Sequence, residues 1–185
     1  MSPHQDIEVL FADESEAHTH PPLTKVWAKV GERARVPAAG NDEKVTVFGG
    51  WNFRTQRLMW YVCERKNSEE FLVFLRQLLE GKSPGKKYIV VLDNAGYHRA
   101  NKVEEFFERH EGEIEPFWLP PYSPELNLIE YVWGYLKEHV TNNYFFGNMD
   151  RLMEALKAAC RELASPGRKL LSVNFETQRY LPEAA

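Results

Sequence analysis

The sequence has few cysteines, no long apolar run and no excess of basic residues. Its two cysteines, Cys63 and Cys160, lie far apart without metal-ligand spacing, so neither a disulfide framework nor a zinc site is indicated. No apolar run approaches the roughly 20 residues that a transmembrane helix needs. The first residues have neither the basic region nor the apolar core of a secretory signal. We therefore expect a cytoplasmic protein with no membrane partner.

The formal net charge of −4 argues mildly against a nucleic-acid partner. Proteins that contact phosphates are usually basic on at least one face. The basic residues are nevertheless clustered, and the two clusters comprise Lys25, Lys29, Arg33 and Arg35, and Lys82, Lys86 and Lys87. A solvated surface is the simpler explanation of both clusters.

Apolar patterning predicts one α/β domain with a mixed sheet, and 185 residues suit a single domain. The predicted strands are residues 7–12, 44–51, 58–63, 88–92 and 114–119. The predicted helices begin near residues 67, 100, 123 and 149 and end near residues 81, 111, 140 and 164. Residues 21–41 are rich in proline and glycine and predict an irregular loop. The continuous apolar run 88–92 is typical of a strand that is covered on both faces, as in the middle of a parallel sheet.

Two aspartates directly follow predicted strands. Asp13 ends the first strand, and Asp93 ends the fourth. In open α/β sheets, reactive groups gather at the carboxyl ends of strands. If the two strands are parallel neighbours, both carboxylates enter the same crevice, where their mutual repulsion favours a divalent cation between them.

A third carboxylate, Glu130, lies on the predicted helix 123–140. The apolar stripe of that helix comprises Leu126, Ile129, Trp133, Leu136 and Val140. Glu130 falls roughly 80° from the centre of the stripe, at the edge of the buried face. From there it could reach an ion held at the strand ends.

Three such carboxylates suit phosphodiester hydrolysis or transfer by two metal ions. Asp13 would bridge both ions, while Asp93 and Glu130 would each complete one site. Each residue alone also has an ordinary explanation, because aspartates often end strands in turns and a helix glutamate is usually solvated.

Three motifs resemble those of mariner-like bacterial insertion-sequence transposases of the DDE superfamily. They are residues 11–15 (FADES), 91–98 (VLDNAGYH) and 119–130 (LPPYSPELNLIE). The resemblance covers residues 7–164 and implies a ribonuclease-H-like, retroviral-integrase-like fold. It departs from the family at Leu128, where proline is common.

The resemblance implies that Asp13, Asp93 and Glu130 are the catalytic triad, with two Mg²⁺ or Mn²⁺ ions as cofactor. The implied reaction is nicking of DNA at transposon ends with inverted repeats, then joining of the 3′-hydroxyl ends to target DNA. A homodimer assembled on DNA is implied as well. Residues 27–37 match the family's clamp loop, which makes Lys25, Trp27, Lys29, Arg33 and Arg35 candidate DNA or partner contacts.

Family members carry helix-turn-helix DNA-binding domains before the first acid, whereas twelve residues precede Asp13 here. We therefore expect one catalytic domain in residues 1–185 that is excised, split or domesticated, with a separate helix-turn-helix chain as a candidate partner. Action at the bacterial nucleoid would follow. Two alternatives stay open: a non-catalytic clamping or dimerisation remnant, and another ribonuclease-H-like nuclease.

Several nearby residues have two interpretations. Asn94 and His98 follow the second acid, and His98 either orients a phosphate or water or, more simply, bonds to backbone at a helix entry. Asn127 either holds Glu130 from behind or caps its helix. Trp118 and Trp133 are expected in the core and not as base-stacking platforms.

Overall fold

A computed structural model describes residues 6–33, 35–37 and 40–165. Within these residues the chain forms five strands and four α-helices. In chain order they are β1 (Asp6–His18), β2 (Lys44–Asn52), β3 (Leu58–Cys63), α1 (Ser68–Glu80), β4 (Lys86–Leu92), α2 (Asn101–Arg109), β5 (Ile114–Trp118), α3 (Glu130–Leu136) and α4 (Met149–Leu163). A 3₁₀ turn (Pro124–Leu126) precedes α3, and a π-helical turn (Lys137–Thr141) follows it.

The strands form one mixed sheet in the order β3-β2-β1-β4-β5. β1 is antiparallel to β2 and parallel to β4, and β5 is parallel to β4. Because β1 and β4 are parallel neighbours, the condition for a shared crevice at their carboxyl ends is met. The predicted five-stranded mixed sheet flanked by helices is confirmed.

Helices cover the sheet on both faces, and each face has its own apolar core. Leu10 and Ala12 of β1 are fully buried in the core that packs against α1 and α2. Phe11 and Ala17 point the other way, toward the core that packs against α3 and α4. This alternation along β1 follows from the two-residue period of a strand.

β1 is longer than the predicted strand 7–12, so Asp13 lies inside the strand and not at its end. Pairing with β4 stops at Phe11, opposite Val91. Pairing with β2 continues as far as His18, opposite Lys44. The backbone hydrogen bonds of β2 therefore extend the strand through residues that show no apolar alternation.

The predicted helix 123–140 is wrong at its start. The 3₁₀ turn ends at Asn127, whose extended backbone (φ −92°, ψ 99°) interrupts the helix before α3 begins at Glu130. The Ser123 hydroxyl donates to the Pro121 carbonyl and caps no helix. Leu126 is 44% exposed and does not belong to the apolar stripe, whereas Ile129, Trp133 and Leu136 are buried as predicted.

The remaining elements follow the sequence closely. The Asn67 side chain accepts a hydrogen bond from the Glu70 amide at 2.9 Å and caps α1, which ends at Gly81 as predicted. Both cysteines are buried and free. Within the described part of residues 21–41 there is neither helix nor strand. Across the described residues, no helix is long and apolar enough to cross a membrane.

Candidate active site

The three predicted carboxylates line one open cleft of about 480 Å³. The pairing between β1 and β4 ends at Phe11 and Val91, and an aspartate stands two positions after each. Asp13, inside β1, and Asp93, just after β4, therefore lie at the same level of the sheet. Glu130 reaches the cleft from the start of α3. The structure thus brings together all three residues that the sequence singled out.

Asp13 is a largely buried carboxylate on the α3 and α4 side of the sheet. Its Oδ2 accepts a hydrogen bond from Trp133 Nε1 at 3.3 Å. Burial, together with the smaller effects of the nearby charges of Glu14 and Asp93, raises the pKa of Asp13 to about 8. Its surroundings therefore oppose the charged form, which a cation in the cleft would favour.

Asp93 is held from one side. Its Oδ1 accepts hydrogen bonds from His98 Nδ1 at 2.8 Å and from the Ala95 amide at 3.0 Å. The hydrogen bond from His98 is the main reason that the pKa of Asp93 lies below its ordinary value. The two aspartates therefore differ, since the surroundings favour the charged form only at Asp93.

Glu130 is the first residue of α3, and its side chain is exposed within the cleft. Its amide donates to the Asn127 carbonyl at 3.1 Å. The prediction that Glu130 lies near the two aspartates agrees with the structure, although Glu130 stands at the start of a helix and not in its interior. Its exposed carboxylate is thus accessible from the cleft.

The Asn127 side chain makes a contact that neither of its predicted roles anticipated. Its Nδ2 donates to the Ala12 carbonyl at 3.0 Å, directly before Asp13. Its Oδ1 is buried and has no hydrogen-bond partner among the described residues. Asn127 thus ties the segment before Glu130 to β1, next to Asp13.

His98 departs from the simpler prediction that its ring bonds to backbone. The ring is fully buried, and its Nδ1 contacts the Asp93 carboxylate. Asn94 lies in the cleft, where its Nδ2 donates to the Leu119 carbonyl at 2.6 Å. Its Oδ1 accepts from Arg99. Asn94 therefore joins the ends of β4 and β5.

Sequence reasoning missed three residues beneath the cleft. Glu14 points to the α1 and α2 side of the sheet, where it accepts hydrogen bonds from the Tyr97 hydroxyl and from Lys66 Nζ. A signal existed, because Glu14 continues the buried series Leu10 and Ala12. A charged residue in such a series needs partners.

The tryptophans pack as expected. Trp133 is 1% exposed in the core beneath α3. Trp118 is half-buried against the opposite core, and the Arg99 guanidinium lies 3.6 Å above its ring centroid. Trp118 therefore both packs in the core and supports a cation near the cleft.

The five candidate DNA or partner contacts in the loop of residues 21–41 lie outside the cleft. All five candidates are exposed: Lys25, Trp27, Lys29, Arg33 and Arg35. The base of the loop is fixed by two hydrogen bonds, from the Thr24 amide to Asn143 Oδ1 and from Asn143 Nδ2 to Thr24 Oγ1. In the second basic cluster, Lys86 and Lys87 form ion pairs with Asp6 and Glu115 at the other end of β4.

The residues of the cleft fit a divalent metal ion. Oxygen ligands such as these carboxylates suit Mg²⁺ and Mn²⁺. Asp13 is a buried carboxylate with a raised pKa, which a neighbouring cation would offset. Within residues 6–33, 35–37 and 40–165, no three acidic, histidine or cysteine side chains already stand close enough together to hold an ion. Binding would therefore draw the exposed Glu130 inward.

Comparisons with known proteins identify the family of the chain. A family model described as DDE superfamily endonuclease matches residues 8–153. The IS630 insertion-element 39 kDa protein of Shigella sonnei is 24% identical over 149 residues, which cover 80% of this chain and 43% of that protein. The protein y4pE/y4sA of Sinorhizobium fredii is 27% identical over 113 residues, which cover 61% of this chain and 78% of that protein.

Solved structures share the fold. The Mos1 transposase paired-end complex with its left transposon end matches with a TM-score of 0.60 and 18% identity, over 86% of this chain and 52% of that chain. The Mos1 strand transfer complex gives the same score and identity. The chain thus spans about half the length of these relatives or less, the Sinorhizobium protein excepted. The fold is the predicted ribonuclease-H-like one, and by the family match the chain belongs to the DDE superfamily of endonucleases.

Proposed function

We propose that this chain is the catalytic domain of an insertion-sequence DNA transposase, with Asp13, Asp93 and Glu130 as its catalytic residues. The observation that carries the proposal is the convergence of these three carboxylates on one cleft. They come from β1, from the end of β4 and from the start of α3. The family match to DDE superfamily endonucleases supports the same chemistry and a dependence on divalent metal.

Each acid contributes differently to the site. Asp13 is placed by β1 and Trp133 and would bridge two Mg²⁺ or Mn²⁺ ions. Asp93 is fixed through Oδ1 and would complete one ion site. Glu130, which is exposed at the start of α3, would complete the other. When bound, such ions activate the attacking oxygen and stabilise the leaving oxygen of an in-line phosphodiester displacement.

Transposon ends and target DNA are the proposed substrates. The acidic cleft needs cations around it to accept a polyanion, and the exposed Lys25, Lys29, Arg33 and Arg35 could contact phosphates. Trp27 is fully exposed in the same loop, which suits contact with a second copy of the chain in a DNA-bound homodimer. Helix-turn-helix modules on a separate chain would supply sequence recognition.

Nicking of supercoiled plasmid that carries the inverted repeats tests the catalytic proposal. The purified chain should nick this DNA with Mn²⁺ or Mg²⁺ and not with EDTA. Glu130→Gln should abolish nicking, because the carboxylate charge is lost. Glu125→Gln is the matched control, since Glu125 is an exposed glutamate of the preceding 3₁₀ turn that does not line the cleft. Equal nicking by wild type and Glu130→Gln would refute the proposed role.

The two alternative functions give different results in the same experiments. A clamping or dimerisation remnant would bind no Mn²⁺ and nick no DNA. Another ribonuclease-H-like nuclease would bind Mn²⁺ but would cleave without any preference for the inverted repeats. Without a metal ion, the exposed position of Glu130 agrees with all three functions. Only the experiments with added ion distinguish them.

A further inference from the structure

A fourth acidic side chain lies directly behind the proposed catalytic residues. Glu14 follows Asp13 on β1, so its side chain leaves the opposite face of the sheet. Only 11% of that side chain is exposed. A buried carboxylate needs partners, because loss of water around an unpaired charge is costly. Glu14 has two, the Tyr97 hydroxyl and Lys66 Nζ, the latter at 3.1 Å.

Glu14 is unsuited to be a metal ligand in the cleft. Both of its carboxylate oxygens are engaged, Oε1 by Lys66 and Oε2 by Tyr97. Neither Glu14 nor these partners line the cleft that contains Asp13 and Asp93. Glu14 therefore lies outside the cleft, although its charge acts on the neighbouring Asp13.

His98 connects the two sides. Its Nδ1 lies 2.8 Å from Asp93 Oδ1, and its Nε2 lies 3.9 Å from Glu14 Oε2. A charged carboxylate only accepts hydrogen bonds, so the proton of this contact belongs to Nδ1. The imidazole is fully buried, and its Nε2 has no hydrogen-bond partner within the described chain.

Aromatic rings fix the orientation of that imidazole. The ring centroids of Phe71 and Tyr97 lie 4.3 Å and 4.2 Å from that of His98. Tyr97 also packs edge-on against Phe48 and Phe71. The hydrogen bond to Glu14 holds the outer end of Tyr97. Glu14 therefore controls the ring that packs against His98.

Asp93 has little else to hold it. Its side chain is 52% exposed, and it stands where β4 has ended. The described structure gives it only two hydrogen bonds, both to Oδ1, from His98 and the Ala95 amide. Rotation of this carboxylate is thus restrained mainly by the buried imidazole.

We propose that Glu14, Tyr97 and His98 are positioning residues that hold Asp93 ready to bind metal. Glu14 anchors Tyr97, Tyr97 and Phe71 enclose the imidazole, and His98 fixes Oδ1 so that the other carboxylate oxygen faces the cleft. This inference rests on the proposed function, in which Asp93 is a metal ligand. Partners of this kind, one step behind the ligands, commonly change metal affinity 10–100-fold.

A pair of tyrosine variants separates positioning from simple stability. Tyr97→Phe keeps the ring and removes only the hydroxyl that contacts Glu14. Tyr61→Phe is the matched control, because the Tyr61 hydroxyl also donates to a glutamate, Glu70 Oε2 at 2.7 Å, and its ring also packs against the α1 and α2 core. Each variant therefore loses one tyrosine–glutamate hydrogen bond, but only Tyr97 adjoins His98.

The measurement is Mn²⁺ affinity, followed by the electron paramagnetic resonance of the free ion, with thermal unfolding recorded in EDTA. We expect Tyr97→Phe to weaken Mn²⁺ binding several-fold and His98→Ala to weaken it by tenfold or more. Tyr61→Phe should bind like wild type. His98→Asn should recover part of the loss, because its amide can replace the Nδ1 donor.

Three outcomes are decisive. If wild type binds Mn²⁺ and both Tyr97→Phe and His98→Ala bind equally well, the positioning role is refuted while the proposed function stands. If Tyr61→Phe weakens binding as much as Tyr97→Phe, the effect is general destabilisation and the positioning role is again refuted. If wild type itself binds no Mn²⁺, the proposed function fails, and the inference fails with it.

Discussion

Replacement of Asp13 by asparagine should make the metal-free domain more stable at neutral and alkaline pH. The pKa of Asp13 in the folded chain is raised from 3.8 to about 8, chiefly by burial. Between these values the folded state keeps a proton that the unfolded chain has released. The stability that this group contributes is therefore complete below about pH 4 and is lost as the pH rises to about 8.

The size of this effect follows from the pKa difference. Each pH unit within the window costs about 1.4 kcal/mol, so the loss by pH 7 has an upper bound of about 4 kcal/mol. An asparagine amide carries no charge to bury, so the Asp13→Asn variant should lose this part of the pH dependence. Mn²⁺ should restore the stability of wild type at pH 8, because the ion favours the charged carboxylate, and it should leave the variant nearly unchanged.

Urea unfolding in EDTA at half-unit steps from pH 4 to pH 8 measures the effect, with Mn²⁺ added in a parallel series. Asp6→Asn is the control, since Asp6 lies on the same strand and Lys86 lowers its pKa. Its contribution is present above about pH 4 and lost on acidification, so this variant should keep the decline toward pH 8. The reasoning is refuted if Asp13→Asn declines with pH as steeply as wild type.

Two further predictions concern the packing that sets the site. Gly49 lies opposite Asp13 on β2, and a Cβ there would come within 2.5 Å of the Trp133 ring. Gly49→Ala should therefore lower the free energy of unfolding, measured by urea titration, by about 1–3 kcal/mol. The control Gly134→Ala has open space around its Cβ and should be neutral or slightly stabilising in the same titration. Asn127→Ala removes the hydrogen bond to the Ala12 carbonyl, so it should lower the free energy of unfolding by about 1 kcal/mol and slow plasmid nicking. Thermal unfolding measures the first effect. Nicking at the wild-type rate would show that this hydrogen bond does not position Glu130.

The sequence predicted the sheet well because its strands carry strong local patterns. The run 88–92 is apolar throughout, and β4 is indeed paired on both sides. Asp93 could be placed at the carboxyl end of β4 for the same reason. The end of β1 could not, because the strand continues past Ala12 through hydrogen bonds to β2, which no local pattern reveals.

The segment before Glu130 shows a different limit of prediction from sequence. Ser123 and Pro124 are typical of a helix start, and locally they do begin a 3₁₀ turn. The turn fails to continue because Asn127 donates to β1, a contact 115 residues away in the chain. Glu130 was placed in the right cleft through the position of Ile129 and Trp133. The network behind Asp93 was missed because Glu14 and His98 are close only in the folded chain.

The length of β1 explains why side chains from both faces of the sheet reach this site. β4 ends at Leu92, whereas β1 continues to His18. Beyond Phe11, β2 is the only strand partner of β1 among the described residues. Beyond Phe11 the edge of β1 is thus open toward the turn that follows β4. Asp13 faces the cleft there, and Glu14 reaches Tyr97 in that same turn from the other face. A strand that ended at Ala12 would not bring Glu14 to Tyr97, and the proposed support behind His98 and Asp93 would lose its anchor.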